Sequence, residues 1–279
     1  MTEDQAAEHL EKIVKSPSYR VAYKDMDFLA SPRLRPIRMQ LELLKPELVF
    51  HEQGVRSTIV VFGGTRIVEP AAAQERLERA EVRLADTPDD PRRQRTVVRA
   101  QRIVDKCRYY EIARQFAELV SSSCQVEGKC DYVVVTGGGP GIMEAANRGA
   151  YDVGAKSIGL NVRLPMEQKP NPYISPELCF QFHYFAMRKF HFLLRAKALV
   201  VFPGGYGTLD ELFDALTLRQ TRRMQDIPII MFGRHFWERV IDFQYLADEG
   251  TIDDEDLDLF RYAETAEEAW EMIRQFHHH

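Results

Sequence analysis

Three times along the chain a short apolar strand pattern runs into a glycine-rich turn and then into a helical pattern, and this repetition constrains the fold more than any other feature. The first instance is Ser57-Thr-Ile-Val-Val-Phe62 followed by Gly63-Gly64-Thr65-Arg66. The second is Tyr132-Val133-Val134-Val135 followed by Gly137-Gly-Gly-Pro-Gly141, which leads into Ile142-Met-Glu-Ala-Ala-Asn-Arg-Gly-Ala150. The third is Ala198-Leu-Val-Val-Phe202, ending in Pro203-Gly204-Gly205-Tyr206-Gly207-Thr208 and opening a helix to about Gln220. Strands that are short, rich in β-branched residues and apolar on both faces belong at the centre of a parallel sheet. Alternation with helices then requires right-handed crossovers. The expected fold class is α/β: a doubly wound, Rossmann-like parallel sheet with helices on both faces and a helical N-terminal extension.

The remaining patterns fill in this plan. Further strands are expected near 156–160 and 178–182, with 227–232 as the final buried strand, and helices near 71–86, 98–120, 184–195, 235–248 and 264–275. Residues 1 to about 50 read as helices and turns, with Pro17, Pro32, Pro36 and Pro46 breaking the helical stretches. The expected organisation is an N-terminal extension over 1–56 packed on the main domain, a nucleotide-binding catalytic domain over 57–276, and a tag remnant at His277-His278-His279.

Composition narrows the class of function. With 279 residues, 45% of them hydrophobic and 28% charged, the chain can bury a sizeable core, which argues against disorder and against a coiled rod. A net charge of −5 gives no general attraction to a phosphate backbone, so no nucleic-acid partner is expected. Apolar runs such as 198–202 and 227–232 are far short of the roughly 20 residues of a spanning helix, so no membrane partner is expected either. The N-terminal MTEDQAAEHLEKI lacks the apolar segment of a secretory signal, and the expected location is the cytoplasm. Cys107, Cys124, Cys130 and Cys179 form no Cys-x-x-Cys pair, so they read as reduced structural thiols and no metal site is expected.

In a parallel sheet all three glycine turns fall along the carboxyl edge, where open α/β sheets bind ligands. Glycine lets the backbone approach closely, and the free N–H groups at the start of the following helix attract an anion, most naturally a phosphate. One such turn is commonly mere packing; three on one edge favour a ligand site. The turns are not those of a dinucleotide enzyme, because the sixth position counted from Gly137 is Ile142 and the acidic residue expected after the next strand is Asn161. No G-x-x-x-x-G-K-[ST] motif is present.

Taken together, Gly137-Gly-Gly-Pro-Gly-Ile-Met-Glu144 with Ala145-Ala-Asn, then Met187-Arg-Lys189, then Pro203-Gly-Gly-Tyr-Gly-Thr-Leu-Asp-Glu211 resemble, in order and spacing, the Lonely Guy phosphoribohydrolases. Members of that family have often carried the label lysine decarboxylase. The resemblance covers roughly residues 57–248, and the N-terminal extension looks like that of a longer bacterial subgroup. It implies hydrolysis of a purine or cytokinin riboside 5′-monophosphate to free base and ribose 5-phosphate, without metal or organic cofactor, by a homodimer or larger homo-oligomer. It also implies Arg188 and Glu211 as the catalytic pair. Gly205, Gly207 and Thr208 would hold the phosphate, with Gly204 beside them in the substrate site, and Gly138, Gly139 and Glu144 would line the ribose region; Met187 reads as a contact to the base or as core. The first turn departs from the Gly-Ser type of the family, which leaves its role unassigned.

The residues themselves admit plainer readings. A carboxylate suits a ribosyl C–N cleavage, whose transition state resembles an oxocarbenium ion. Yet Thr208-x-x-Glu211 is also a capping-box pattern, in which the glutamate reaches back to the Thr208 backbone. The residues alone leave both open. Arg188 reads as a bidentate ligand for phosphate or ribose, or as a salt-bridging arginine. His183 and His191 read as ordinary packing histidines, and Arg66 reads equally as a phosphate contact or a surface residue. Two rival functions stand beside hydrolysis: a pyridoxal-phosphate lysine decarboxylase, for which Lys189 and Lys197 are the available lysines, and a carrier that holds a nucleotide or cofactor without turnover.

Overall fold

The computed structural model describes residues 1–125, 130–163 and 169–277. Its chain divides into two units, Met1–Lys45 and Pro46–His279. The first is helical, with α1 (Glu3–Lys15), α2 (Met26–Ala30) and the opening of α3 (Arg35–Glu52). Thr2 caps α1 through a reciprocal capping box with Gln5. Pro36 stands in the first turn of α3, where proline is tolerated. Pro46 lies inside α3 and does not break it; this corrects the sequence expectation, and its burial with Phe50 holds the helix together through the missing amide.

The second unit carries a sheet that contains, among the described residues, seven strands: β1 (Thr58–Phe62), β2 (Val133–Thr136), β3 (Ser157–Val162), β4 (Cys179–Phe182), β5 (Ala196–Val201), β6 (Ile229–Phe232) and β7 (Arg261–Ala263). Every pairing is parallel, and the order across the sheet is β4-β3-β2-β1-β5-β6-β7. The helices are α4 (Pro70–Ala85), α5 (Pro91–Val104), α6 (Arg108–Cys124), α7 (Ile142–Asp152), α8 (Phe185–Leu194), α9 (Tyr206–Gln220), α10 (Arg234–Val240), α11 (Phe243–Asp248) and α12 (Ala266–Phe276).

Alternation along the strands divides the core between the two faces of the sheet. Ile59, Val61, Val134 and Val200 pack with Tyr110 and Phe116 of α6, Ile142 of α7 and Trp270 of α12. Val60, Phe62, Val135 and Val201 pack on the other face with Phe192 of α8, Leu212 of α9 and Trp237 of α10. The sheet is therefore covered on both sides, which is why the inner strands β1, β2 and β6 are buried throughout, whereas the edge strands β4 and β7 expose Gln181 and Arg261. Among the described residues no helix is long and apolar enough to cross a membrane.

Three sequence expectations change. The single helix over 98–120 is two helices, because α5 buries no residue and pairs with α4, whereas α6 buries Tyr109, Tyr110, Ala113 and Phe116 under the sheet. The helix over 235–248 divides at Asp242, whose carboxylate accepts the Tyr245 N–H at 3.0 Å and restarts the chain as α11. The strand over 227–232 is not the last. β7 follows it, short and with only Ala263 buried. Residues 164–168 of the proline-rich loop expected over 164–176, and His278 and His279, lie outside the described residues.

Candidate functional site

From β1 the chain steps outward through β2, β3 and β4, then returns to the other side of β1 with β5. The turns after β1, β2 and β5 therefore meet at the reversal point of the strand order, where a crevice opens beyond the carboxyl ends. Gly64 ties them together. Its N–H donates to the Pro203 carbonyl at 3.0 Å, and its carbonyl accepts the Ile142 N–H at 3.3 Å. The first turn, left unassigned by its sequence, is thus the clasp between the other two. The pocket so formed has a volume of about 380 Å³, within the range of small-molecule sites.

The start of α9 forms one wall. Gly205 is its N-cap and makes no side-chain cap bond. The N–H groups of Tyr206, Gly207 and Thr208 belong to the first turn, which has no acceptor within the helix, so the positive end of α9 faces the pocket that Gly205, Gly207 and Thr208 line. Gly204 lies beneath them. A Cβ there would stand 2.1 Å from Thr208 Oγ1, so only glycine lets Thr208 fold against the turn.

Thr208 and Glu211 both lie inside α9, three residues deeper than a capping box would need, and this corrects the capping reading. Glu211, only 6% exposed, faces α8 instead. There Arg188 Nη2 donates to Glu211 Oε1 at 3.5 Å. Burial pushes the Glu211 carboxyl up to about 7, only partly opposed by the charges of Arg188 and Lys189, while Asp210 and Asp214 add to the rise. Arg188 is wedged between rings, its Cζ 4.4 Å from the Phe185 centroid and 5.6 Å from that of Phe192. Burial lowers its pKa, with Glu211 and Asp210 partly restoring it. Its Nε is buried without a hydrogen-bond partner among the described residues. The wall thus holds a carboxyl raised by burial and a fixed guanidinium with spare donor capacity, beside a helix start that favours an oxyanion. It can bind an anion and exchange a proton next to it.

Five of the residues singled out in the sequence line the pocket: Arg188, Glu211, Gly205, Gly207 and Thr208. Gly138, Gly139, Glu144, Met187 and Gly204 stand outside that lining. The carbonyls of Gly138 and Gly139 are taken by Asn171, from its N–H at 2.9 Å and its Nδ2 at 3.1 Å. Gly138 also adopts φ +73°, a left-handed backbone suited to glycine. Glu144 Oε1 accepts from the Tyr110 hydroxyl at 3.1 Å, and Met187 packs against the core. Arg66 is exposed and also outside the lining. His183 is exposed with its ring against Tyr184, and His191 is buried with Nδ1 3.5 Å from Glu47; neither lines the pocket.

Several lining residues were missed in the sequence: Thr65, Met143, Asn161, Phe185 and Phe192. Asn161 registered only as the absence of an acid, although the end of a strand beside the reversal point is itself a signal. A buried polar chain behind the second turn was missed as well. The Thr136 hydroxyl donates to Asn147 Oδ1 at 2.7 Å, Asn171 Nδ2 donates to the same oxygen at 2.9 Å, and Asn147 Nδ2 donates to Ser157 Oγ at 3.0 Å. It fixes the turn from Gly137 to Gly139 in place.

Among the described residues no group of three His, Cys, Asp or Glu side chains is placed to hold a metal ion. Lys189, the lysine nearest the site, donates to Asp210 at 2.9 Å and lies 3.8 Å from Asp214. Burial works against its charge, but these carboxylates and Glu211 outweigh it and raise its pKa, the reverse of what a Schiff-base lysine needs.

Residues 143–273 match the family model described as "Possible lysine decarboxylase". No curated protein matches the chain. Among solved structures, the X-ray structure of the structural-genomics target TM1055 is 23% identical with a TM-score of 0.48, covering 78% of this chain and 99% of that one. The molybdenum cofactor binding protein from the phototrophic bacterium Rippkaea orientalis is 19% identical with a TM-score of 0.44, covering 60% of this chain and 87% of that one. The family match starts after the second glycine turn and takes in both Met187–Lys189 and Pro203–Glu211, so over residues 143–273 this chain is similar to the family described as possible lysine decarboxylases.

Proposed function

We propose that this protein hydrolyses the N-glycosidic bond of a purine or cytokinin riboside 5′-monophosphate, such as AMP, giving free base and ribose 5-phosphate. The observation that carries the reading is the Arg188–Glu211 pair beside the first turn of α9, with the Glu211 carboxyl brought up to about 7 by burial. The phosphate is assigned to the first-turn N–H groups of α9 and Thr208. Arg188 holds a phosphate or ribose oxygen through the donors left over from Glu211. As the C1′–N bond breaks, its electrons leave with the base and positive charge develops at C1′. The Glu211 carboxylate faces that charge, takes a proton from the attacking water as its oxygen bonds to C1′, and the departing nitrogen gains a proton in turn. Such a base works best with a pKa near the working pH, and burial places Glu211 there. No metal or organic cofactor enters this scheme.

The family-model match over residues 143–273 supports the same reading. A decarboxylase would need a lysine ready to form a Schiff base, and Lys189 is held charged by Asp210 and Asp214. We further propose a cytoplasmic homodimer or larger homo-oligomer. The exposed Phe185, Phe190 and Leu194 of α8 and Phe213 of α9 are the apolar surface a second copy would cover, and light scattering in solution tests it. The function is tested by incubating the protein with AMP and other nucleoside monophosphates and separating free base by chromatography. Base release by the wild type and not by Glu211→Gln supports the enzyme; AMP bound and recovered intact points to a carrier.

A further inference from the structure

Away from the sheet edge, the helical hairpin of α4 and α5 encloses a second cleft, of about 640 Å³. Arg76, Arg79 and Arg83 recur at intervals of three and four along α4 and so share one of its faces. Arg93, near the start of α5, reaches across and donates from Nη1 to the Arg83 carbonyl. These four arginines line the cleft together with Thr96, whose hydroxyl donates to the Arg92 carbonyl at 2.8 Å, and a single acidic residue, Asp86. Arg79 is 3.6 Å from Glu75, and Arg93 is 3.6 Å from Asp90, each pair neighbouring along the sequence. Among the described residues Arg76 and Arg83 have no acidic partner within salt-bridge distance.

With only Arg79 and Arg93 near a carboxylate, the cleft keeps positive charge on Arg76 and Arg83 that an anion can neutralise, and the guanidinium fork matches phosphate oxygens two at a time. We propose that this cleft is a binding site for an oligophosphate anion, separate from the pocket at the sheet edge, with which it shares no lining residue. A single phosphate engages one or two of the arginines, whereas a chain of two or three phosphates engages all four. A long nucleic-acid backbone fits less well. Along α4 Glu75 precedes the arginines and Glu78 and Glu81 stand between them, which interrupts any continuous basic track, and the protein as a whole carries a net charge of −5. Inorganic tripolyphosphate and a nucleoside triphosphate present the same chain of phosphates.

Titration calorimetry on the full chain tests this, with inorganic phosphate, tripolyphosphate, ATP and a single-stranded oligonucleotide as probes. The proteins compared are the wild type, Arg76→Gln/Arg83→Gln, and Gly205→Asp, which sets a carboxylate at the start of α9 where a Cβ meets no atom within 4 Å. Tripolyphosphate is expected to bind the wild type and Gly205→Asp alike, more tightly than phosphate, and to lose about tenfold or more in affinity in the arginine variant. In Gly205→Asp, equal affinity for ATP assigns recognition to the phosphate chain, and tighter ATP binding adds contacts to the nucleoside; both sustain the proposal. Melting curves show that the variant folds, and tripolyphosphate is expected to raise the melting temperature of the wild type and not of the variant. The proposal is overturned by absence of tripolyphosphate binding, by unchanged affinity in the arginine variant, by loss in Gly205→Asp alone, or by an oligonucleotide that binds the cleft more tightly than tripolyphosphate.

Discussion

Replacing Glu211 by Gln keeps the shape of the side chain and removes a carboxyl that is only 6% exposed. In the folded protein burial brings this group from the ordinary 4.5 to about 7. Between those two values the folded state holds a proton that the unfolded chain has released, so rising pH favours unfolding. The sign is opposite to that of a salt-bridged surface carboxylate. Stability contributed by the protonated form is complete below pH 4.5, falls through the interval and is lost above about 7. At 1.36 kcal/mol per pH unit, the wild type loses about 2 to 3 kcal/mol from this one group between pH 5 and pH 8. Glu211→Gln does not titrate. Any constant effect of the amide on Arg188 cancels when the same pair of proteins is compared at two pH values. Urea unfolding of both proteins from pH 5 to pH 8 measures the quantity directly. The expected result is a variant that gains about 2 to 3 kcal/mol on the wild type across that range while losing activity. Parallel stability curves would refute the reasoning, because a carboxyl that ionises in the folded state near 4.5 is not desolvated by this pocket.

Other perturbations follow from the same geometry. Removing the guanidinium by Arg188→Gln takes away the charge that opposes the rise in the Glu211 pKa, so base release falls by about a hundredfold and its rising limb moves to higher pH, read from pH–rate profiles. Gly149→Ala sets a Cβ 2.0 Å from the Arg114 carbonyl where α7 meets α6, and thermal unfolding should show a loss of about 3 kcal/mol. Gly205→Ala meets no atom within 4 Å, so its stability should change by less than about 0.5 kcal/mol. Its AMP affinity, measured by calorimetry, should nonetheless fall by about tenfold as the close approach of the phosphate to the α9 backbone is lost. Asn171→Ala leaves the Gly139 carbonyl and Asn147 short of a partner, and urea unfolding should show a loss of about 2 kcal/mol.

What could be read from the residues and what could not divides along physical lines. β1 and β2 are legible because every residue is buried, and β5 because, past the half-buried Lys197, Ala198–Val201 is buried and apolar on both faces. β7 is not, because only Ala263 of its three residues is buried and no periodicity can form. The break between α5 and α6 escaped notice because both segments are helical and only their partners differ. Arg188, Glu211, Gly205, Gly207 and Thr208 were legible because their motifs are local in sequence. The role of the first turn was not, since Gly64 acts through its own N–H and carbonyl, which carry no residue identity. Asn171 was missed for a different reason: it reaches Asn147 across 24 residues, and nothing in the local pattern marks either partner. Thr208-x-x-Glu211 shows how a local pattern can mislead, for it matches a capping box although Gly205 begins the helix.

The central claim is that Glu211 serves as the base in hydrolysis of a nucleoside 5′-monophosphate, and the most direct measurement is the pH dependence of free-base release from AMP between pH 5 and pH 9. The account predicts kcat/KM for the wild type to rise with pH through about 7, as the Glu211 carboxyl ionises, and Glu211→Gln to bind AMP without releasing adenine. Base release by Glu211→Gln at the wild-type rate, or AMP returned intact by the wild type at every pH, would contradict it.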